Sequence, residues 1–141
     1  MKGIAGLLAI LVLLLACTPS NQQSQLEFED AWVRAMPPGS KMTAGFGRLV
    51  NIGTDDLSIA GWASDSFGVV SLHRTVTENG VSRMRSIPEL TLSPGSERVL
   101  EPGGYHLMFM QPVEGDRQVV RLNVELSDGS QYVFDLPVER R

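Results

Sequence analysis

The 141-residue chain is poor in the side chains that most often carry chemistry. It contains one cysteine, Cys17, and two histidines, His73 and His106. A disulfide framework needs at least two cysteines and is therefore excluded. Two histidines offer no nucleophile–base pair at a recognisable spacing, so an enzyme is the least favoured class of function. The net charge of −4 supplies no basic patch that could neutralise phosphates, which argues against a nucleic-acid partner.

The chain also lacks a hydrophobic run long enough to cross a bilayer. Residues 4–15 are twelve consecutive residues without a polar side chain, whereas a membrane-spanning helix needs roughly 20. With Lys2 before it, this run fits the h-region of a secretory signal. It ends in Leu14-Leu15-Ala16-Cys17, which resembles the lipobox of bacterial lipoproteins. Acylation of Cys17 would leave the mature domain without a thiol and exclude a cysteine-based catalytic site. The alternative is an ordinary signal peptide cut nearby, with Cys17 incidental.

Three segments follow from this interpretation. Residues 1–16 are a lipoprotein signal peptide, and residues 17–25 are the lipidated Cys17 with a polar, flexible tether. Residues 26–141 form a single domain, which is large enough to bury a workable core without disulfides. The expected location is the bacterial cell envelope, facing the periplasm and anchored to a membrane by lipid. Thr18 after the cysteine resembles the outer-membrane sorting pattern of Gram-negative cells.

From Leu26 onward the hydrophobic pattern has a period of two, which indicates strands. Glycine-, proline- and asparagine-containing turns separate these segments, and no window predicts a convincing amphipathic helix. The many short strands favour an all-β fold, an antiparallel β-sandwich or small barrel. Nine strands are predicted, at residues 27–35, 45–51, 57–63, 68–76, 81–87, 97–100, 105–111, 117–126 and 131–138.

The Asn79-Gly80 pair makes a geometric prediction. Both residues tolerate the positive φ of a type I′ turn, so a two-residue hairpin loop is expected there. Counting outward from this loop, Thr75 lies opposite Met84. His73 is two residues further along and shares that face, which makes His73 and Met84 diagonal neighbours about 7–8 Å apart.

A second group of donors follows the Gly103-Gly104 pair. In a strand, His106, Met108 and Met110 point to one face while their neighbours point to the other. An imidazole and a thioether two residues apart can therefore chelate one ion. The glycine pair predicts a sharp turn at the strand entrance and a His106 close to solvent.

The donor types indicate which metal such residues would hold. Two imidazoles and two thioethers select soft Cu(I) over hard cations, whereas Zn(II) recruits cysteine, histidine or carboxylate. The alternative is structural, because methionine in a β-sandwich is most often core filler and a histidine near a turn is most often a surface residue. On the pattern alone, both interpretations stay open.

The spacing of these residues adds weight to the first interpretation. His73, ten residues, Met84, 21 residues, then His106-Leu107-Met108 resembles the His-x10-Met-x21-His-x-Met signature of the periplasmic copper chaperones called the PCuAC family. The contexts at residues 31–35, 37–39 and 101–108 are similar too. This resemblance extends from about residue 31 to residue 138.

The resemblance implies a cupredoxin-like Greek-key fold and one Cu(I) per chain. The implied ligands are His73, Met84, His106 and Met108, in a monomeric chaperone. It also implies delivery of copper to the Cu-A site in subunit II of cytochrome c oxidase, directly or with a Sco-type chaperone. Arg74 stands where relatives often carry a methionine, and the chain ends without the His- and Met-rich tail that some relatives use for Cu(II).

Three further methionines have two possible roles each. Met110 is either an auxiliary ligand or core packing, and Met36 and Met42 either line the site mouth or make no metal contact.

Two rival functions are also compatible with the sequence. The first rival is a copper-buffering or resistance lipoprotein without a dedicated acceptor. The second is a structural envelope lipoprotein that binds no metal.

Overall fold

The computed structural model describes residues 25–141, which are all-β with turns. No helix among these residues has the length and apolarity needed to span a membrane. The predicted signal peptide, Cys17 and most of the predicted tether lie outside the described residues. The strands are β1 Leu26–Arg34, β2 Met42–Asn51, β3 Leu57–Ala63, β4 Phe67–Glu78, β5 Val81–Ser86, β6 Leu90–Leu92, β7 Glu97–Leu100, β8 Tyr105–Pro112, β9 Val119–Leu126 and β10 Gln131–Glu139.

The strands pair in the order β5-β4-β8-β7-β2-β1-β10-β9-β3-β6, and β8 also pairs directly with β2. Most neighbours are antiparallel, while β1 runs parallel to β10 and β7 runs parallel to β8. Hairpin neighbours such as β4 and β5 alternate in this order with neighbours distant in sequence, such as β4 and β8 or β1 and β10, as expected for a Greek key. The predicted all-β class is confirmed.

The alternation of apolar and polar residues explains which face each strand buries. On β9, Val120, Leu122, Val124 and Leu126 are all at most 4% exposed, and the residues between them face outward. They belong to one core cluster formed by the inner faces of nearly all the strands. Because all ten strands lie within residues 26–139, a protein that begins at Ser20 retains every described element.

The β4–β5 hairpin has the predicted loop and register. Asn79 and Gly80 have φ angles of 52° and 77°, the positive values that a type I′ turn requires. Glu78 pairs with Val81 and Thr75 pairs with Met84. His73 and Met84 therefore lie on one face of the hairpin, as expected from the sequence.

The observed strands differ from the predicted ones mainly at the ends and in one short element. Strand β6 was not predicted, because Leu90–Leu92 is too short to display a period and is identified only by its pairing with β3. Strand β2 begins at Met42 rather than residue 45, and β4 extends to Glu78. The earlier start of β2 includes Met42 in the strand, where it pairs with Met110.

A bulge in β1 fixes the approach of β1 and β2. The register shifts between Glu29 and Trp32, and Asp30 has a φ of 48°. Opposite the bulge, Gly47 has a φ of 144°, and a Cβ there would lie 2.8 Å from the Cα of Ala31. Only glycine satisfies both the backbone angle and the close contact.

We expect Gly47→Ala to lower the free energy of unfolding by about 1–3 kcal/mol, because strain in φ and a backbone clash add together. Urea denaturation measures this loss. Gly61→Ala is the matched control, since Gly61 has no positive φ and a Cβ there would lie 3.3 Å from the Cβ of Glu125, a milder contact than the one at Gly47. Equal losses in the two variants would contradict this account of Gly47.

Candidate metal centre

The two histidines face each other across neighbouring strands. His73 on β4 and His106 on β8 are direct Cα partners in the antiparallel ladder. Their ring centroids are 6.0 Å apart, with an interplanar angle of 35°. This pairing joins positions 33 residues apart in the chain, so it depends on the sheet topology rather than on local sequence. One small ion between the rings could contact both.

Hydrogen bonds hold each ring through one nitrogen. Nδ1 of His106 lies 3.1 Å from the carbonyl oxygen of Gly104. A carbonyl only accepts, so Nδ1 is the donor and Nε2 carries the lone pair. Nε2 of His73 lies 2.9 Å from the hydroxyl of Ser71, two residues earlier on the same face of β4.

The other nitrogen of each ring is buried without a hydrogen-bond partner in the described part of the chain. These atoms are Nδ1 of His73 and Nε2 of His106. Buried polar atoms are nearly always paired, and each unpaired one destabilises the fold by about 1–3 kcal/mol. Two such atoms on facing rings fit a bound cation that both nitrogens would coordinate.

The position of His106 differs from the sequence-based expectation. It was predicted to lie near solvent, but it is only 4% exposed. The glycine pair does end in a turn, yet β8 runs between β4 and β2, and these neighbours cover the imidazole. The prediction was wrong because burial of a strand residue depends on which strands flank it.

Burial also affects the protonation of the first histidine. Desolvation lowers the pKa of His73 below its usual 6.5, and the neighbouring His106 lowers this pKa further. The charged imidazolium is disfavoured because water is partly removed from it. The neutral ring with an available lone pair, the form that binds metals, therefore persists to lower pH.

The two methionines of the spacing pattern lie on the same outer face as the histidines. Met108 follows His106 by two residues, is 9% exposed and pairs with Ser71 on one side and Ala44 on the other. Met84 lies diagonally across from His73 on the edge strand β5 and is 59% exposed. The four side chains are thus brought to one region of the sheet, with three of them at least partly covered and Met84 exposed to solvent.

The remaining candidates divide into two groups. Met36 packs against the core. Met42 and Met110 are direct partners across β2 and β8, a contact that was not predicted because β2 begins earlier than the pattern indicated. Within residues 25–141, no three histidine, cysteine, aspartate or glutamate side chains cluster as metal ligands.

Sequence reasoning missed the residues that hold the rings. Ser71 was detectable, because it stands two positions from His73 and must share its face in a strand. The carbonyl of Gly104 carries no side-chain signal. Arg74, at the position where a methionine was noted as missing, lies with its guanidinium carbon 5.3 Å from the centroid of the Tyr105 ring. The Arg74 side chain lies on the opposite face of β4 from His73, because neighbouring residues of a strand alternate between faces.

Comparisons with known proteins identify the family to which the chain belongs. Residues 26–138 match the family described as "Putative lipoprotein LpqE-like". A relative from Leifsonia xyli subsp. xyli, "Putative lipoprotein Lxx21020", is 35% identical over 128 residues, which are 88% of this chain and 75% of the relative. The chain belongs to the LpqE-like lipoprotein family.

Solved structures identify the fold. The copper-bound PCuAC domain from PmoF2 matches with a TM-score of 0.68 at 18% identity, covering 84% of this chain and 95% of that domain. Apo-DR1885 from Deinococcus radiodurans gives 0.64 at 21% identity, covering 100% and 96%, and its Cu(I) form gives 0.63 at 24% identity, covering 79% and 76%. The predicted PCuAC-type, cupredoxin-like fold is confirmed.

The lowered pKa of His73 predicts how stability depends on pH without metal. The unfolded chain binds this proton more readily than the native one, so stability should fall as pH drops below about 6.5. We expect His73→Gln to lose less stability than the wild type between pH 7.5 and pH 5.0. The difference should vanish between pH 7.5 and 8.5, where His73 is neutral in both states. Equal losses in both proteins on acidification, measured by urea denaturation, would contradict the assignment.

Proposed function

We propose that this protein is a cell-envelope copper chaperone that binds one Cu(I) ion through His73, Met84, His106 and Met108. The observation that carries the proposal is the pair of facing imidazoles whose buried ring nitrogens have no hydrogen-bond partner in residues 25–141. In this proposal, Nδ1 of His73 and Nε2 of His106 are the nitrogen donors. The copper-bound forms of the PmoF2 domain and of DR1885, which share the fold, support copper as the cargo.

The two thioethers determine the oxidation state that is proposed. Neutral sulfur and imidazole donors favour Cu(I), because they are soft and carry no charge to stabilise a divalent ion. A thioether also holds copper less tightly than a thiolate does. Transfer from this site to a cysteine-containing acceptor is therefore energetically downhill.

The different exposure of the two methionines suggests how copper would leave. Met108 is nearly buried beside the histidines, whereas Met84 on the edge strand is open to solvent. We expect an acceptor to displace Met84 first and the covered ligands afterwards. Exposed donors exchange more easily because their release uncovers no buried surface.

The role proposed here is binding and transfer rather than catalysis. The Ser71 hydroxyl and the His73 imidazole do form a nucleophile–base pair at 2.9 Å, which sequence reasoning did not find. Catalytic hydroxyls need a base that a third group orients through its other nitrogen. Nδ1 of His73 has no such partner in the described residues, so Ser71 acts as a support for the ring.

The membership of the LpqE-like lipoprotein family supports a lipid anchor, which we assign to Cys17, with residues 1–16 as the signal peptide. Eight residues separate Cys17 from the start of the 26–141 domain, and a segment of that length spans at most about 29 Å. The domain would thus stay close to its membrane, facing the periplasm. An outer-membrane location follows if the host is Gram-negative.

The thioethers can be tested without disturbing the fold. In a protein comprising residues 20–141, we expect Met84→Leu with Met108→Leu to weaken Cu(I) binding by roughly tenfold or more, equivalent to about 1.4 kcal/mol. Leucine keeps the volume of methionine and removes only the sulfur. An anaerobic titration against a colorimetric Cu(I) competitor measures the affinity.

Val81→Ala is the control for this titration, since Val81 lies on the same exposed strand, is 53% exposed and carries no donor. It should bind one equivalent with unchanged affinity. Absence of binding by the wild type would favour a structural envelope lipoprotein instead. Equal binding by the double leucine variant would contradict Met84 and Met108 as ligands.

The acceptor is proposed to be the Cu-A site of cytochrome c oxidase, reached directly or with a Sco-type chaperone. Deleting the gene should lower the Cu-A content and oxidase activity of membranes from cells grown in low copper, and added copper should restore both. A gene encoding the double leucine variant should fail to complement. Copper sensitivity with normal oxidase would indicate the buffering role and contradict delivery.

A further inference from the structure

A second set of thioethers lies on the same outer face, beyond the histidines. Met42 on β2 and Met110 on β8 are direct Cα partners. Directly opposed side chains have Cβ atoms about 4.5–5.5 Å apart, which is within easy reach for two long, flexible methionines. Met108, two residues from Met110, lies diagonally across from Met42.

These two methionines are not core filler. Met42 is 49% exposed and Met110 is partly exposed. Neither is among the buried residues that form the described core, nor among the partly buried residues packed against it, in contrast to Met36. Both side chains therefore keep part of their surface open to solvent, where a ligand can reach them.

The direct strand partners of the two methionines carry no charge. Val69 on β4 pairs with Met110 on the side away from Met42, and the small Ala44 stands opposite Met108. Along this face, the positions opposite the three methionines carry no carboxylate and no further imidazole. Apart from the hydroxyl of Ser71, the donors at these positions are thioethers, which select a soft monovalent cation over Zn(II) or Ca(II).

We propose that Met42 and Met110 form a second, histidine-free Cu(I) site on the face of β2 and β8. It is weaker than the site at the histidines because it has only neutral sulfur donors. Met108 lies between the two sites. It is two residues from Met110 on one side and two residues from His106 on the other, so it could contact an ion at either site. A role of the second site in loading copper into the first rests on the function proposed above. The existence of the second site does not depend on that function.

Silver is a suitable probe because Ag(I) is soft and monovalent like Cu(I) and does not change oxidation state. In the protein comprising residues 20–141, with carbon-13 methyl-labelled methionine, Ag(I) should first shift the methyl signals of Met84 and Met108. Further Ag(I) should then shift those of Met42 and Met110. The methyl of Met36, packed against the core, is the internal control.

Two variants separate this proposal from the function proposed above. Met42→Leu with Met110→Leu should lose the second Ag(I) equivalent and keep the first. His73→Gln with Met84→Leu should lose the first equivalent, while the methyls of Met42 and Met110 still shift.

Each outcome of the titration decides one of the two sites. If the methyls of Met42 and Met110 stay unshifted in excess Ag(I) while those of Met84 and Met108 move, the second site is wrong and the first stands. If only Met42 and Met110 respond, the second site is supported and the site at the histidines is contradicted.

Discussion

The antiparallel pairing of β4 with β8 is the constraint on which the candidate metal centre depends. It sets His73 directly opposite His106, and it brings Ser71 beside Met108. A shift of one residue between these strands would move all the donors of one strand to the core face. The alternating burial of Leu72, Leu107 and Phe109 on that inner face opposes such a shift, since each is at most 1% exposed. The hydrophobic core therefore fixes the geometry of the polar face above it.

The site combines covered imidazoles with a thioether that is open to solvent. Its imidazoles are covered enough that one ring nitrogen on each has no hydrogen-bond partner among residues 25–141, a deficit that a bound ion would remove. Met84 is nevertheless open to solvent at the sheet edge. A carrier must hold its cargo and also release it, and this gradient of exposure from His106 to Met84 suits both steps. The lowered pKa of His73 keeps that ring in its metal-binding form.

Local features were readable from the sequence, and long-range ones were not. The Asn79-Gly80 turn and the register of Met84 depend on a few adjacent residues, so they were predicted correctly. The facing of His73 and His106, the burial of His106 and the pairing of Met42 with Met110 each depend on which distant strands become neighbours. Local propensity carries no information on that choice. The strand pattern offered two imidazoles and two thioethers as donors, and the PCuAC resemblance favoured copper binding over core packing for them.

The most direct test of the central claim is X-ray absorption at the copper edge of the Cu(I)-loaded protein comprising residues 20–141, at one equivalent of copper. We expect a Cu(I) edge and a first shell that contains both imidazole nitrogen and sulfur. The sulfur should be lost in the Met84→Leu, Met108→Leu variant, while the nitrogen remains. A shell of nitrogen and oxygen without sulfur in the wild type would contradict the account, because it would show that neither Met84 nor Met108 binds the copper.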